Sequence, residues 1–146
     1  MRLVVDANIL IAELIRVRGR KLIANPKLEL YMAEKAWEET VYELNKRIEI
    51  MIQKKVFSQT VARNLLQDAI RLAELKVSLI PHEVYALYEI EATRRIPRDP
   101  DDRFTVALAL ALDADIWTLD NDFFGCGIAT WTTDTLLSYL TNDWSF

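Results

Sequence analysis

The sequence predicts an α/β protein, a three-layer α/β/α sandwich with a central parallel sheet of four to five strands. Two observations carry this. Short apolar runs alternate with stretches of helical periodicity from one end of the chain to the other, the pattern of a parallel sheet covered on both faces. No linker, internal repeat or low-complexity segment interrupts the 146 residues, so one domain spanning 1–146 is expected, long enough to bury a real core.

Leu3–Val5 is a short apolar run ended by Asp6 and reads as a buried first strand. From Asn8, the residues Ile9, Leu10, Ile11, Leu14 and Ile15 resume at helical spacing. The Gly-containing segment RVRGRK at 16–21 reads as a basic turn, followed by a short helix and the Asn25-Pro26 break. Leu28–Met32 is a second strand. A long helix is expected from Ala33 to about Val56, because Trp37, Val41, Leu44, Ile48 and Met51 recur at gaps of four and three.

Ser58 suits the N-cap of the next helix, and Val77–Ile80 is a third strand closed by Pro81. A helix through Tyr85–Thr93 stops before Pro97. Asp99-Pro100-Asp101 opens another helix, with Pro near its first turn and acids at its positive end. Its apolar residues run almost all round, so it should be buried. Ile116–Leu119 is a fourth strand, Gly125–Gly127 a loop, Ile128–Trp131 a fifth strand and Thr133–Leu140 a last helix.

Composition narrows the classes. Half the residues are apolar, with three Gly and four Pro, which fits neither disorder nor a disulfide scaffold. A lone Cys126 cannot form an internal disulfide and points to a reducing, cytoplasmic setting. No signal segment is expected before the first strand. The apolar stretch Phe104–Leu112 is too short to cross a bilayer, so no membrane role is expected.

The formal net charge of −4 seems to disfavour a nucleic-acid partner. It does not exclude one, because five acids fall at one proposed site. Without them the remaining acids are slightly outnumbered by the 18 Lys and Arg. The negative charge is concentrated where cations could neutralise it.

Those five are Asp6 in LVVDANIL, Glu39 in AWEETVYEL, Asp102 in RDPDDRFTVALALAL, and Asp120 with Asp122 in IWTLDNDFF. Ligands bind beyond the carboxyl ends of strands in open parallel sheets. Asp6 and Asp120 each follow a strand, so both carboxylates should emerge at one sheet edge, and Asp102 could join them from its helix's first turn. Glu39 lies near the start of the long helix, off its apolar stripe. Oxygen-only donors of this kind suit one or two Mg²⁺ or Mn²⁺ ions, which can drive phosphodiester hydrolysis. Each acid also has a bland reading as a cap, a turn residue or a solvated helix acid; the ordered set is what points to a site.

VVDANIL, MAEKAWEETVYEL and DPDDRFTVALALALDADIWTLDNDFF, in that order, resemble the PIN-domain family, which includes VapC-type ribonuclease toxins. The resemblance runs from the first strand to WTTDTLL and implies a PIN-like fold and a metal-dependent endoribonuclease. It implies that Asp6, Glu39, Asp102 and Asp120 are catalytic and bind metal, with Asp122 an auxiliary ligand and Asn8 supporting Asp6. Glu38 and Glu43 compete with Glu39. It also implies an RNA substrate and, if the chain is the toxin of a type II toxin–antitoxin pair, an antitoxin and a homodimer.

Two basic clusters, Arg16, Arg18, Arg20 and Lys21, then Arg94, Arg95, Arg98 and Arg103, read either as phosphate-holding flanks of the acidic site or as solvated surface. Arg103 could instead pair with Asp99 or Asp6. His82 and Cys126 read as junction and loop residues rather than catalysts. Trp144 could pack on a partner or on the body of the chain. Two other readings stay open: a non-catalytic PIN scaffold binding RNA or protein, and a Mg²⁺ phosphohydrolase on another doubly wound fold. The latter families typically carry a second acid two residues after an aspartyl nucleophile, where Asn8 stands here.

Overall fold

The computed structural model describes residues 1–142, and Trp144 lies outside the described residues. The chain runs β1 (Arg2–Val5), α1 (Ala7–Leu14), α2 (Val17–Ile23), β2 (Glu29–Ala33), α3 (Glu34–Gln53), α4 (Gln59–Lys76) and β3 (Val77–Ile80). It continues with α5 (His82–Tyr85), α6 (Glu89–Arg95), α7 (Arg103–Leu112), β4 (Asp115–Trp117), β5 (Thr130–Trp131) and α8 (Thr133–Thr141), with short 3₁₀ turns at 86–88, 100–102 and 121–123.

The five strands form one all-parallel sheet in the order β3-β2-β1-β4-β5. Side chains of successive strand residues point to opposite faces, and here they divide between two cores. Leu3, Val5, Leu30, Met32 and Trp117 join Leu10, Ile11, Leu14, Leu44 and Ala73 on one face. Val4, Ala33 and Ile116 join Tyr85, Ala92, Val106, Leu108 and Phe123 on the other. Burial on both faces explains why the strand sequences are nearly continuous apolar runs.

The chain proceeds outward from β1 through β2 to β3, then returns to place β4 on the other side of β1. The strand order reverses between β1 and β4, so a crevice opens at their carboxyl ends. Asp6 and the segment from Thr118 to Asp122 lie at that reversal.

Several expected boundaries move. The basic segment at 16–21 is largely helix rather than turn, because α2 takes it in from Val17. Gly19 serves close packing there: a Cβ on it would lie 2.1 Å from the Glu13 carbonyl oxygen. β4 leaves the sheet after Trp117, and Leu119 is exposed. The helix expected over 85–93 is broken into α5, a 3₁₀ turn and α6. Asp99 caps a 3₁₀ turn by accepting from the Asp101 N–H at 3.0 Å, and α7 starts only after Asp102. Among the described residues, no helix is long and apolar enough to cross a membrane.

Candidate metal centre

Asp6 ends β1 and opens α1. Its N–H continues the strand ladder by donating to the Trp117 carbonyl at 3.0 Å, and its own carbonyl accepts from Leu10. These two bonds fix the backbone, so the side chain emerges at the crevice from a nearly buried position. Asp6 Oδ2 accepts from the hydroxyl of Thr118 at 3.0 Å. That hydroxyl oxygen in turn accepts from the N–H of Asp120 at 3.0 Å.

Asp120 turns the chain after β4. Its Oδ1 accepts from the Asp122 N–H at 2.9 Å, a local bond that sets the spacing of the two acids. Asp102 arrives from the opposite direction, at the head of α7. One oxygen each from Asp102, Asp120 and Asp122 lies within 4.8 Å of the others. Asp6 joins this group through Thr118, rather than by that close spacing.

The electrostatics follow from the crowding. Burial, then the neighbouring carboxylates of Asp99, Asp6, Asp120 and Asp122, push Asp102 up to about 7. Burial is also the main cause raising Asp6; the Asp120 charge adds to it, while the Thr118 hydroxyl and the Asn8 and Ala7 amides oppose it. Asp102 Oδ2 is buried and accepts no hydrogen bond from the described residues. A carboxylate that converges with two others and carries an unpartnered oxygen fits a hard divalent cation, because oxygen donors and negative charge are what such an ion requires.

The other expected residues are distributed as follows. Glu39 is exposed on α3 and is not one of the three converging acids. Glu38 lines a separate cavity of about 370 Å³ with Glu34, Lys35, Pro81, His82 and Glu83. Glu43 is half-buried one turn further along α3. Asn8 has an exposed side chain and supports Asp6 through its backbone amide. It also borders a cavity of about 270 Å³ with Asp6, Ile9, Ala12, Leu119 and Asp120.

The basic clusters divide. Arg16 lies 3.7 Å from the buried Glu13 carboxylate, Arg18 pairs with Asp134 on α8, and Arg20 donates to the Leu14 carbonyl, while Lys21 is exposed. Arg94 and Arg95 both pair with Glu91, and Arg95 also donates to the Cys126 carbonyl. Arg98 reaches the acids, with Nη1 3.3 Å from Asp122 Oδ1. Arg103 donates to the Pro100 carbonyl and stacks on Phe104, instead of pairing with Asp99 or Asp6. His82 pairs with Glu89, and Cys126 is buried in a loop.

Thr118 is the residue that sequence reasoning missed. Its only sequence signal is a hydroxyl two residues before an aspartate at a strand end, a placement that permits a local bond to the Asp120 amide. Its second bond, to Asp6, joins residues far apart in the chain and needs the β1–β4 pairing.

A family model described as PIN domain matches residues 4–141 of the chain. No curated protein sequence matches it significantly.

Proposed function

This chain belongs to the PIN domain family, and on that premise we propose that it is a metal-dependent endoribonuclease that hydrolyses RNA phosphodiester bonds. The observation that carries the reading is the convergence of Asp102, Asp120 and Asp122 at the β1–β4 reversal, with one buried oxygen of Asp102 lacking a partner among the described residues.

Asp102, Asp120 and Asp122 would hold one Mg²⁺ or Mn²⁺, with Asp6 completing the charge and Glu39 available from α3. A cation so bound lowers the pKa of coordinated water and offsets charge on a phosphate. The chain's own contribution is positional. Thr118 fixes the Asp6 carboxylate and the Asp120 backbone together. Arg98, beside Asp122 and open to solvent, offers a guanidinium to a phosphate. Cys126 is buried and His82 is engaged by Glu89, so neither is assigned a nucleophilic role. The attacking group in this reading is water.

Action as the toxin of a type II toxin–antitoxin pair, with an antitoxin partner, a homodimer and a cytoplasmic location, is the finer form of the proposal. It rests on the resemblance to VapC-type proteins. A non-catalytic scaffold binding RNA or protein is the second reading, and the exposed position of Glu39 outside the triad favours it. Against it, a scaffold has no need to maintain a repulsive group of carboxylates.

The test is incubation of purified protein, freed of any partner, with a mixed RNA pool and Mg²⁺ or Mn²⁺ beside Asp6→Asn. Metal-dependent cleavage that vanishes in the variant supports the nuclease. No cleavage, with no metal binding by calorimetry, supports the scaffold.

A further inference from the structure

Two adjacent phenylalanines follow Asp122, and the fold treats them oppositely. Phe123 is buried in the core, whereas Phe124 is 69 % exposed. The Phe124 backbone is held by donation of its N–H to the Asn121 carbonyl at 3.0 Å, so its ring projects from a fixed turn beside the acids. That ring borders a cavity of about 340 Å³ lined also by Arg95, Pro97, Arg98, Asn121 and Asp122. It borders a second, of about 290 Å³, that runs past Asp120 and the hydroxyl-bearing Thr130, Thr132 and Thr135.

We propose that Phe124 is a stacking platform for one unpaired base of a single-stranded RNA, next to the scissile phosphate, with Arg98 holding a phosphate of the same strand. The proposal rests on the nuclease reading above and names the form of RNA that the site accepts. An aromatic face stacks on any base, while a guanidinium matches phosphate geometry. Arg95 is already committed to Glu91 and the Cys126 carbonyl, but Arg98 is mostly exposed and, among the described residues, holds only Asp122, at 3.3 Å. Arg98 can therefore turn to a phosphate without uncovering a buried charge.

A peptide partner is the competing occupant of this surface. Its apolar side chains would meet a cavity containing two guanidiniums, an amide and a carboxylate around one ring, a lining better matched to a charged backbone carrying flat bases. Stacking also requires a free base face, so duplex RNA should bind less well than a single strand of the same length.

The experiment measures fluorescence anisotropy of a fluorescein-labelled single-stranded oligo(A) in EDTA, where binding is read without cleavage. Wild type, Phe124→Ala, Phe124→Leu and Phe124→Trp are compared, with circular dichroism to verify that each folds. Loss of one base–aromatic stack should weaken binding by about tenfold in Phe124→Ala and Phe124→Leu, while Phe124→Trp holds near wild type. An abasic strand of the same length should bind wild type and Phe124→Ala alike.

Equal affinity of wild type and Phe124→Ala for oligo(A) overturns the proposal. If wild type nevertheless cleaves RNA with metal, the nuclease reading survives and only the stacking role falls. If wild type neither binds nor cleaves, both fall. A change confined to self-association of Phe124→Ala assigns the ring to a protein contact and likewise overturns it.

Discussion

The Thr118 hydroxyl donates to Asp6 Oδ2 at 3.0 Å across the β1–β4 pairing. The same oxygen accepts from the Asp120 N–H. One small side chain thereby couples acids from two strands whose positions are more than a hundred residues apart, and it is itself nearly fully buried.

Thr118→Val keeps the shape and removes this link. The buried Asp6 carboxylate and the part-buried Asp120 N–H then each lose a partner. Unfolding by urea in EDTA should show a loss of about 1–3 kcal/mol, the cost of leaving a buried polar group unsatisfied. Thr118→Ser should recover most of it, because the hydroxyl is what matters.

Metal-free protein should become less stable as pH rises from about 4 to about 7. Asp102 carries an ordinary value of 3.8 when exposed and is pushed up to about 7 in the fold. Between those values the folded state holds a proton that the unfolded state has released, so stability falls with rising pH. Asp6 is raised as well and acts in the same direction. The urea midpoint followed across this range should slope downward, and Asp102→Asn should flatten the slope. A rising midpoint unaffected by that substitution would contradict the electrostatic picture.

A divalent ion should reverse that trend. Mn²⁺ added to metal-free protein above pH 7 should raise the melting temperature, and the gain should shrink as Asp102 takes up its proton. Asp122→Asn should weaken Mn²⁺ binding by more than about tenfold, since even groups that only orient metal ligands change affinity by about 10–100-fold. Glu39→Gln should weaken it less than Asp122→Asn does, because Glu39 lies outside the close triad. Calorimetric titration of both variants gives the comparison.

Gly19→Ala should destabilise the chain without touching the acids. The added Cβ would sit 2.1 Å from the Glu13 carbonyl oxygen and 2.4 Å from its carboxylate, so α1 and α2 must separate. Overpacking of this kind costs about 1–3 kcal/mol, readable by thermal unfolding.

The parallel sheet and most of its helices were legible because strand runs buried on both faces are continuous and apolar, and because the α3 stripe is regular. The sequence predicts a fourth strand that ends at Leu119, two residues beyond the end of β4. Leu119 is as apolar as the strand before it, and only the Thr118–Asp120 bond reveals that the chain has already turned. Gly19 reads as a turn signal but serves close packing inside α2, since sequence does not distinguish a glycine needed for φ from one needed for close approach. Strand-end logic brings Asp6 and Asp120 to one sheet edge with Asp102 joining from the head of its helix, whereas the ligand role of Asp122 comes only from the family resemblance, and the close triad is Asp102, Asp120 and Asp122. The orientation of Glu39 did not, because a helix position places a residue on a face without fixing where a long side chain ends.

The most direct measurement follows RNA cleavage and Mn²⁺ binding together, in the same metal-free preparations of wild type and Asp102→Asn, as Mn²⁺ is added. Cleavage should be absent without metal, rise in step with occupancy of the wild-type site, and fall by at least about a hundredfold in Asp102→Asn, in line with removal of a group that stabilises charge in the reaction. Cleavage that proceeds in EDTA, or that Asp102→Asn leaves unchanged, would contradict a metal-dependent nuclease built on these carboxylates.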